Sequence, residues 1–229
     1  MKNGWFLLFP VLLFSTCTDD GKNACDTLED LGTFSLLPTS KAAIPYTTAD
    51  QRAVFVDSLG GERSLEIIQL SDGYLEQQFT AACLVDNSTF STYSWMPEKT
   101  CYELKDETTG SFSYQLCVEM QYNLVNVAEK QVADLLSIAA YSSSSRLQRE
   151  GDYSILLAPR NFMGEIITEG TTELLDELTW QGRTLTQVYH LESVNNIGLP
   201  RELYYTKAEG LVAFKDYASD TFFFFDRIE

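Results

Sequence analysis

The chain has 229 residues, with 33 Asp and Glu against 16 Lys and Arg, a net charge of −17, and 13% aromatic residues. So acidic a surface repels phosphate backbones and has no basic stripe for counterion release, which argues against nucleic acid as a partner and against electrostatic attraction to anionic lipid head groups. The length suits one sizeable core, and solubility accounts for the acidity.

At the N-terminus, Lys2 precedes an apolar run from Trp5 to Phe14, and Ser15 and Thr16 follow just before Cys17. That is the layout of a secretory signal peptide over residues 1–16. The run has ten residues, against the roughly 20 that a membrane-spanning helix needs, and nothing that long and apolar follows. The stretch Leu13, Phe14, Ser15, Thr16, Cys17 resembles the loose lipoboxes of Bacteroidota lipoproteins, with Phe14 in place of the usual Leu and Thr16 in place of Gly or Ala. Asp19 and Asp20 resemble that group's signal for display on the cell surface. The resemblance implies that Cys17 becomes the lipid attachment residue and holds the protein in the cell envelope at the outer membrane, on its periplasmic or surface face. An ordinary signal peptide cleaved nearby is the alternative.

Five cysteines are an odd number for a disulfide-permissive compartment. Setting Cys17 aside leaves Cys25, Cys83, Cys101 and Cys117, which allow three complete pairings. Cys101 with Cys117 is the first choice, because they fall on consecutive candidate strands around a turn near Gly110, and Cys83 with either is the runner-up. No CxxC occurs, and the single histidine, His190, is remote in sequence, so no metal site or cofactor is expected.

Residues 17–41 are polar and weakly patterned, which reads as the lipidated N-terminus and a tether ahead of one β-rich domain over residues 42–229. Short strands are expected at 53–57, 65–70, 74–80, 89–95, 101–105 and 111–124, separated by turns at Gly60 and Gly61, at Asp72 and Gly73, and at Gly110. Between Val127 and Ser142 the residues Val132, Leu135, Leu136 and Ala139 also fit a helical stripe; the second half is read as a strand. Residues 153–158 suit a buried strand. Two alternating runs, 174–180 and 184–191, flank Gln181, Gly182 and Arg183 and predict a hairpin. A second pair, 202–206 and 211–215, leads to a last strand at 221–228. Its run Phe222 to Phe225 puts rings on both faces, which calls for cover on both. The fold class is therefore mainly β: a curved antiparallel sheet built from hairpins, forming a sandwich or an open barrel.

The run from Leu178 through Trp180, Gly182 and Tyr189 to Leu191, with Leu203, Tyr204, Tyr205 and the segment from Gly210 to Phe214, is similar to hairpins of uncharacterised Bacteroidota lipoproteins. That resemblance implies an antiparallel β fold and no particular activity. The triplets Asp26, Thr27, Leu28 and Asp57, Ser58, Leu59 look like O-glycosylation acceptors of the same phylum, a pattern that chance also produces.

Nucleophilic hydrolysis needs an activated Ser, Thr or Cys beside a base. His190 is read as a structural histidine sharing a strand face with Val188 and Thr186, and no GxSxG, HExxH, P-loop or GxGxxG is present. Asp19, Asp20 and Gly21 are too few for a calcium loop. No enzymatic activity is expected. The function expected is a non-catalytic binding or structural module of the envelope, with a glycan, a lipid or an envelope protein as partner and rings such as Tyr93, Trp95, Trp180 or Tyr204 in contact. The alternative is a carboxylate-dependent glycan hydrolase, whose chemistry needs only two Asp or Glu residues across a sugar.

Overall fold

The computed structural model describes residues 28–82, 90–107, 112–122, 131–142, 149–160, 170–180, 182–193, 202–216 and 220–229. The elements in chain order are β1 (Glu29–Phe34), α1 (Pro38–Lys41), β2 (Arg52–Val56), β3 (Glu62–Tyr74), β4 (Gln77–Ala82), β5 (Phe90–Asp106), β6 (Phe112–Tyr122) and β7 (Val132–Ser142). They continue with β8 (Arg149–Ala158), β9 (Gly170–Trp180), β10 (Arg183–Ser193), β11 (Glu202–Thr206), β12 (Gly210–Asp216) and β13 (Thr221–Ile228). Eleven of these strands form one path, β8-β7-β6-β5-β3-β2-β13-β12-β11-β10-β9, every pairing in it antiparallel, and the sheet curls until it nearly closes as a barrel. At the seam, Thr172 of β9 donates its hydroxyl to the Ser154 carbonyl of β8 at 3.5 Å. The mainly antiparallel β class stands, in its barrel form.

Period-two alternation sorts the side chains. In β6, Tyr114, Leu116, Val118, Met120 and Tyr122 enter the core while Ser113, Gln115, Glu119 and Gln121 remain partly exposed. The lumen is filled by large side chains, among them Phe55, Leu104, Tyr114, Tyr153, Tyr205 and Phe214, all below 2% exposure. β7 is a strand throughout, and its helix-like pattern has a simple cause: it lies between β6 and β8 with both faces covered, so Leu135 and Ala139 are buried opposite Leu136 and Ile138.

Three expectations need correction. The tether was expected to run to residue 41, but from Glu29 onward the chain is part of the fold. β1 pairs in parallel with β5, α1 follows, and Leu31, Leu36, Ala43, Ile44 and Tyr46 join the core. A parallel partner 64 positions further on, as Glu29 has in Tyr93, leaves no local signature, whereas a hairpin does. Second, no turn occurs at Asp72 and Gly73. β3 runs through them, Gly73 with φ 132°, and the strand breaks only at Leu75 and Glu76 before β4 continues along the same edge of β5. Third, the separate strands at 89–95 and 101–105 are one strand, β5. Pro97 lies inside it where β5 changes neighbours from β4 to β3 along one edge while still paired with Phe34 of β1 along the other; its carbonyl accepts the Leu75 N–H at 3.1 Å.

The N-terminal segment is clamped by polar groups within the barrel. Glu98 accepts the Leu36 N–H at 3.0 Å and pairs with Lys41, whose pKa the Glu98 hydrogen bond raises. Asp134, fully buried, accepts the Leu37 N–H at 3.0 Å and lies 3.4 Å from the Arg160 guanidinium. Tyr205 donates its hydroxyl to the Ala43 carbonyl at 2.6 Å, and the Tyr46 hydroxyl accepts the Leu211 N–H at 3.0 Å. Gly210, at φ 80°, serves this clamp: a Cβ there would fall on the Tyr46 hydroxyl.

Candidate functional site

The outward face of β10 to β13 follows from what the inward face takes. Leu191, Leu203, Tyr205, Phe214 and Phe223 enter the core, so His190, Tyr204, Phe222 and Phe224 project to the other side. Strand register then aligns Glu173, His190, Tyr204, Ala213, Phe224 and Val56 as successive direct partners in one row.

At the centre, the His190 ring stacks on Tyr204 with centroids 4.7 Å apart and planes 12° apart. Tyr204 donates its hydroxyl to Glu202 Oε1 at 2.7 Å. Burial first, then that hydrogen bond, raises the Tyr204 pKa, so the phenol stays a donor at physiological pH. His190 Nε2 lies 3.2 Å from the same Glu202 oxygen, close enough for an ion pair when the ring is protonated but not aligned as a hydrogen bond. Its Nδ1 is 3.9 Å from Glu173. Next along the face come Phe222, with the Lys215 ammonium 5.4 Å from its centre, and Phe224.

Beyond Gln187, which takes a positive φ of 52°, the tip of the β9–β10 hairpin reaches β13. There Trp180 stacks on Phe224 at 3.6 Å, and Arg183 donates to the Phe225 carbonyl at 3.2 Å and pairs with Glu209. The Trp180 Nε1–H is buried without a partner. Both faces of the Phe222 to Phe225 run are therefore covered in part: Phe223 and Phe224 are buried, while Phe222 and Phe225 are half-buried.

The residues singled out from the sequence separate clearly. Trp180, His190 and Tyr204 come together around this face. Tyr93 and Trp95 are core residues, 0% and 3% exposed, packed with Phe79, Phe34 and Tyr122, so the expectation of contact fails for them. Cys101 and Cys117 are direct partners in the β5–β6 ladder, with their sulfurs at disulfide distance, 2.12 Å. Cys17, Cys25 and Cys83, like the Asp26–Thr27 pair, lie outside the described residues. Asp57 turns its carboxylate inward on its own loop, accepting the Leu59 and Gly61 N–H groups at 2.8 Å each, and Ser58 is exposed beside it.

No motif in the sequence marks Glu173, Glu202 or Lys215. The i, i+2 spacing of Glu202 and Tyr204 places them on one strand face, but only the register of β10 against β11 brings Glu202 to His190. A second polar cluster lies inside the barrel: Arg63 bridges Asp106 at 3.4 Å and Asp216 at 3.1 Å beside the Phe223 ring. Among the described residues no group of three or more His, Cys, Asp and Glu is arranged to hold a metal ion. No protein family, curated protein or solved structure matches the chain.

Proposed function

We propose that the chain is an envelope lipoprotein of a bacterium, anchored through acyl chains on Cys17, whose barrel is a non-catalytic binding module for a glycan. The observation that carries this reading is the outward row on β10 to β13. Half-exposed, flat rings at Tyr204 and Phe222 suit the apolar C–H face of a sugar, and the carboxylates of Glu202 and Glu173 are acceptors for its hydroxyls. A lumen packed with tyrosines, phenylalanines and the N-terminal segment favours an outer-face site over an internal one.

The test is calorimetric titration of the purified protein with a panel of envelope and dietary polysaccharides. Binding to at least one is expected, and Tyr204→Ala should weaken it by about 1 to 3 kcal/mol, the range for a lost stacking platform and hydrogen bond. No binding across the panel, or binding that Tyr204→Ala leaves intact, would overturn the site assignment.

A further inference from the structure

The β9–β10 hairpin is longer than its support. β10 lies against β11 only from Tyr189 to Glu192, whereas its ladder with β9 continues to the pair Arg183 and Trp180. Beyond Val188 the hairpin is therefore a ribbon of two strands, and such a ribbon is marginally stable by itself. One face of it carries Glu177, Thr179, Thr184 and Thr186, all exposed, while Leu178, Leu185 and Trp180 on the other are half-buried. The ladder leaves out Gln187 and the opposite Asp176, and Gln187 takes a φ of 52°, a conformation that residues other than glycine seldom adopt. The ribbon thus meets the barrel at a bend.

Its tip rests on the row of outward rings. Tyr204, Phe222 and Phe224 follow one another with centroids 6.3 and 6.0 Å apart. Tyr204 and Phe222 are half-buried, but Phe224 is buried, and the Trp180 indole lies face to face on it with planes 12° apart. A flat apolar ring face is also what the C–H face of a sugar rests on. The third ring of the row is therefore covered by a side chain that belongs to the ribbon.

The contacts that hold the tip down are weak or replaceable. Arg183 donates to the Phe225 carbonyl at 3.2 Å and pairs with Glu209, but both charged side chains are partly exposed, where ion pairs contribute little. The stack on Phe224 is an attraction that another apolar face can supply. Opposing closure, the Trp180 Nε1–H is buried with no acceptor, a cost that vanishes once the indole reaches water. A ring packed permanently into a core would not retain that penalty on a two-stranded support.

We propose that the ribbon of residues 175–180 and 183–188 is a strap over the outward row, and that in the closed strap Trp180 occupies the place on Phe224 that a sugar ring takes when the strap is open. This rests on the reading of that row as a glycan site. Opening lengthens the platform from Tyr204 and Phe222 to include Phe224. Because the glycan must first displace the indole, the closed fraction lowers its apparent affinity. Trp180 is thus a competitor of the ligand, and Arg183 is a positioning residue that favours closure through Phe225 and Glu209.

The experiment uses the full chain with Arg183→Ala and Trp180→Ala as variants. Without ligand, hydrogen exchange of the indole N–H groups is followed by NMR, the Trp180 signal being assigned by its loss in Trp180→Ala. Trp95, a core residue 3% exposed, is the internal reference. The Trp180 indole should exchange at least about tenfold faster than that of Trp95, and Arg183→Ala should speed it by a further threefold or so while leaving Trp95 unmoved. Equal rates for the two indoles, or no acceleration in Arg183→Ala, would overturn the strap. Calorimetric titration with cellohexaose, xylohexaose and mannohexaose then reads competition. Trp180→Ala should tighten, by about threefold or more, the binding that Tyr204→Ala weakens. Unchanged affinity in Trp180→Ala overturns the competition, as does weaker affinity, which would make Trp180 a platform. If neither the parent nor Trp180→Ala binds any of the three, the glycan reading fails, and the exchange comparison decides the strap by itself.

Discussion

The five strands from β9 to β13 follow one another in space as they do in sequence, each pairing with the next, whereas β1 lies parallel to a strand distant in sequence, Glu29 opposite Tyr93, and α1 is held by side chains from β5 and β7. The two regions illustrate two ways of building order. The meander is specified by turns and by alternation, so its stability is spread along ladders and buried rings. The N-terminal segment has few ladder bonds and depends on a handful of buried polar contacts: Glu98 and Asp134 on its backbone N–H groups, Tyr205 on the Ala43 carbonyl, and Tyr46 on Leu211. Damage to the first region should be large and collective; damage to the second should be specific to one contact at a time.

The largest effect should come from deleting residues 220–229. β13 joins β12 to β2, so its loss opens the barrel and leaves two strand edges unpaired. It also removes Phe223 and Phe224, each worth roughly 1.5 to 3 kcal/mol when buried, from a total stability of about 5 to 15 kcal/mol. The truncated chain should show no cooperative thermal transition by circular dichroism. A melt near the parent temperature would mean that the meander does not close the barrel energetically.

Asp134→Ala should come next. It leaves the Leu37 N–H without its acceptor and the Arg160 guanidinium without its buried carboxylate. The cost should be about 2 to 4 kcal/mol in urea unfolding, within the range for removing one member of a buried charged contact that is partly open to solvent on the Arg160 side. A loss below about 0.5 kcal/mol would place the N-terminal segment outside the cooperative unit.

These two regions also mark what was legible in the sequence. The last strand, Thr221–Ile228, and both C-terminal hairpins are where alternation and glycine turns put them, and Cys101 faces Cys117 across the hairpin that their spacing suggested. The role of residues 29–46 was hidden because its apolar residues are dispersed among polar ones and its partners are distant. β5 was hidden by Pro97, a residue that normally ends a strand and here falls at a change of neighbours. Of the outward row, His190, Tyr204 and Trp180 could be named from the sequence, but not their arrangement. The segment 194–201 between β10 and β11 is long enough to leave the register open, and it is register that sets Glu202 beside His190.

Tyr204 and Tyr205 give the sharpest form of the comparison, because they are neighbours on one strand and point to opposite faces. Tyr205 is fully buried, and its hydroxyl is a donor to the Ala43 carbonyl of the N-terminal segment. Tyr205→Phe keeps the ring and leaves that carbonyl unpaired away from water, which should cost about 1 to 2 kcal/mol of stability. Tyr204 is half-exposed, and its hydroxyl meets Glu202, a carboxylate that water can reach once the phenol is gone. Tyr204→Phe should therefore change stability by less than about 0.5 kcal/mol, as surface substitutions usually do. Ligand binding should show the reverse order, with Tyr204→Phe weakening glycan affinity and Tyr205→Phe leaving it unchanged. Denaturant unfolding and calorimetry on the two variants separate the roles. Equal stability losses would mean that the outer row is structural packing, and the binding reading would then lose its strongest support.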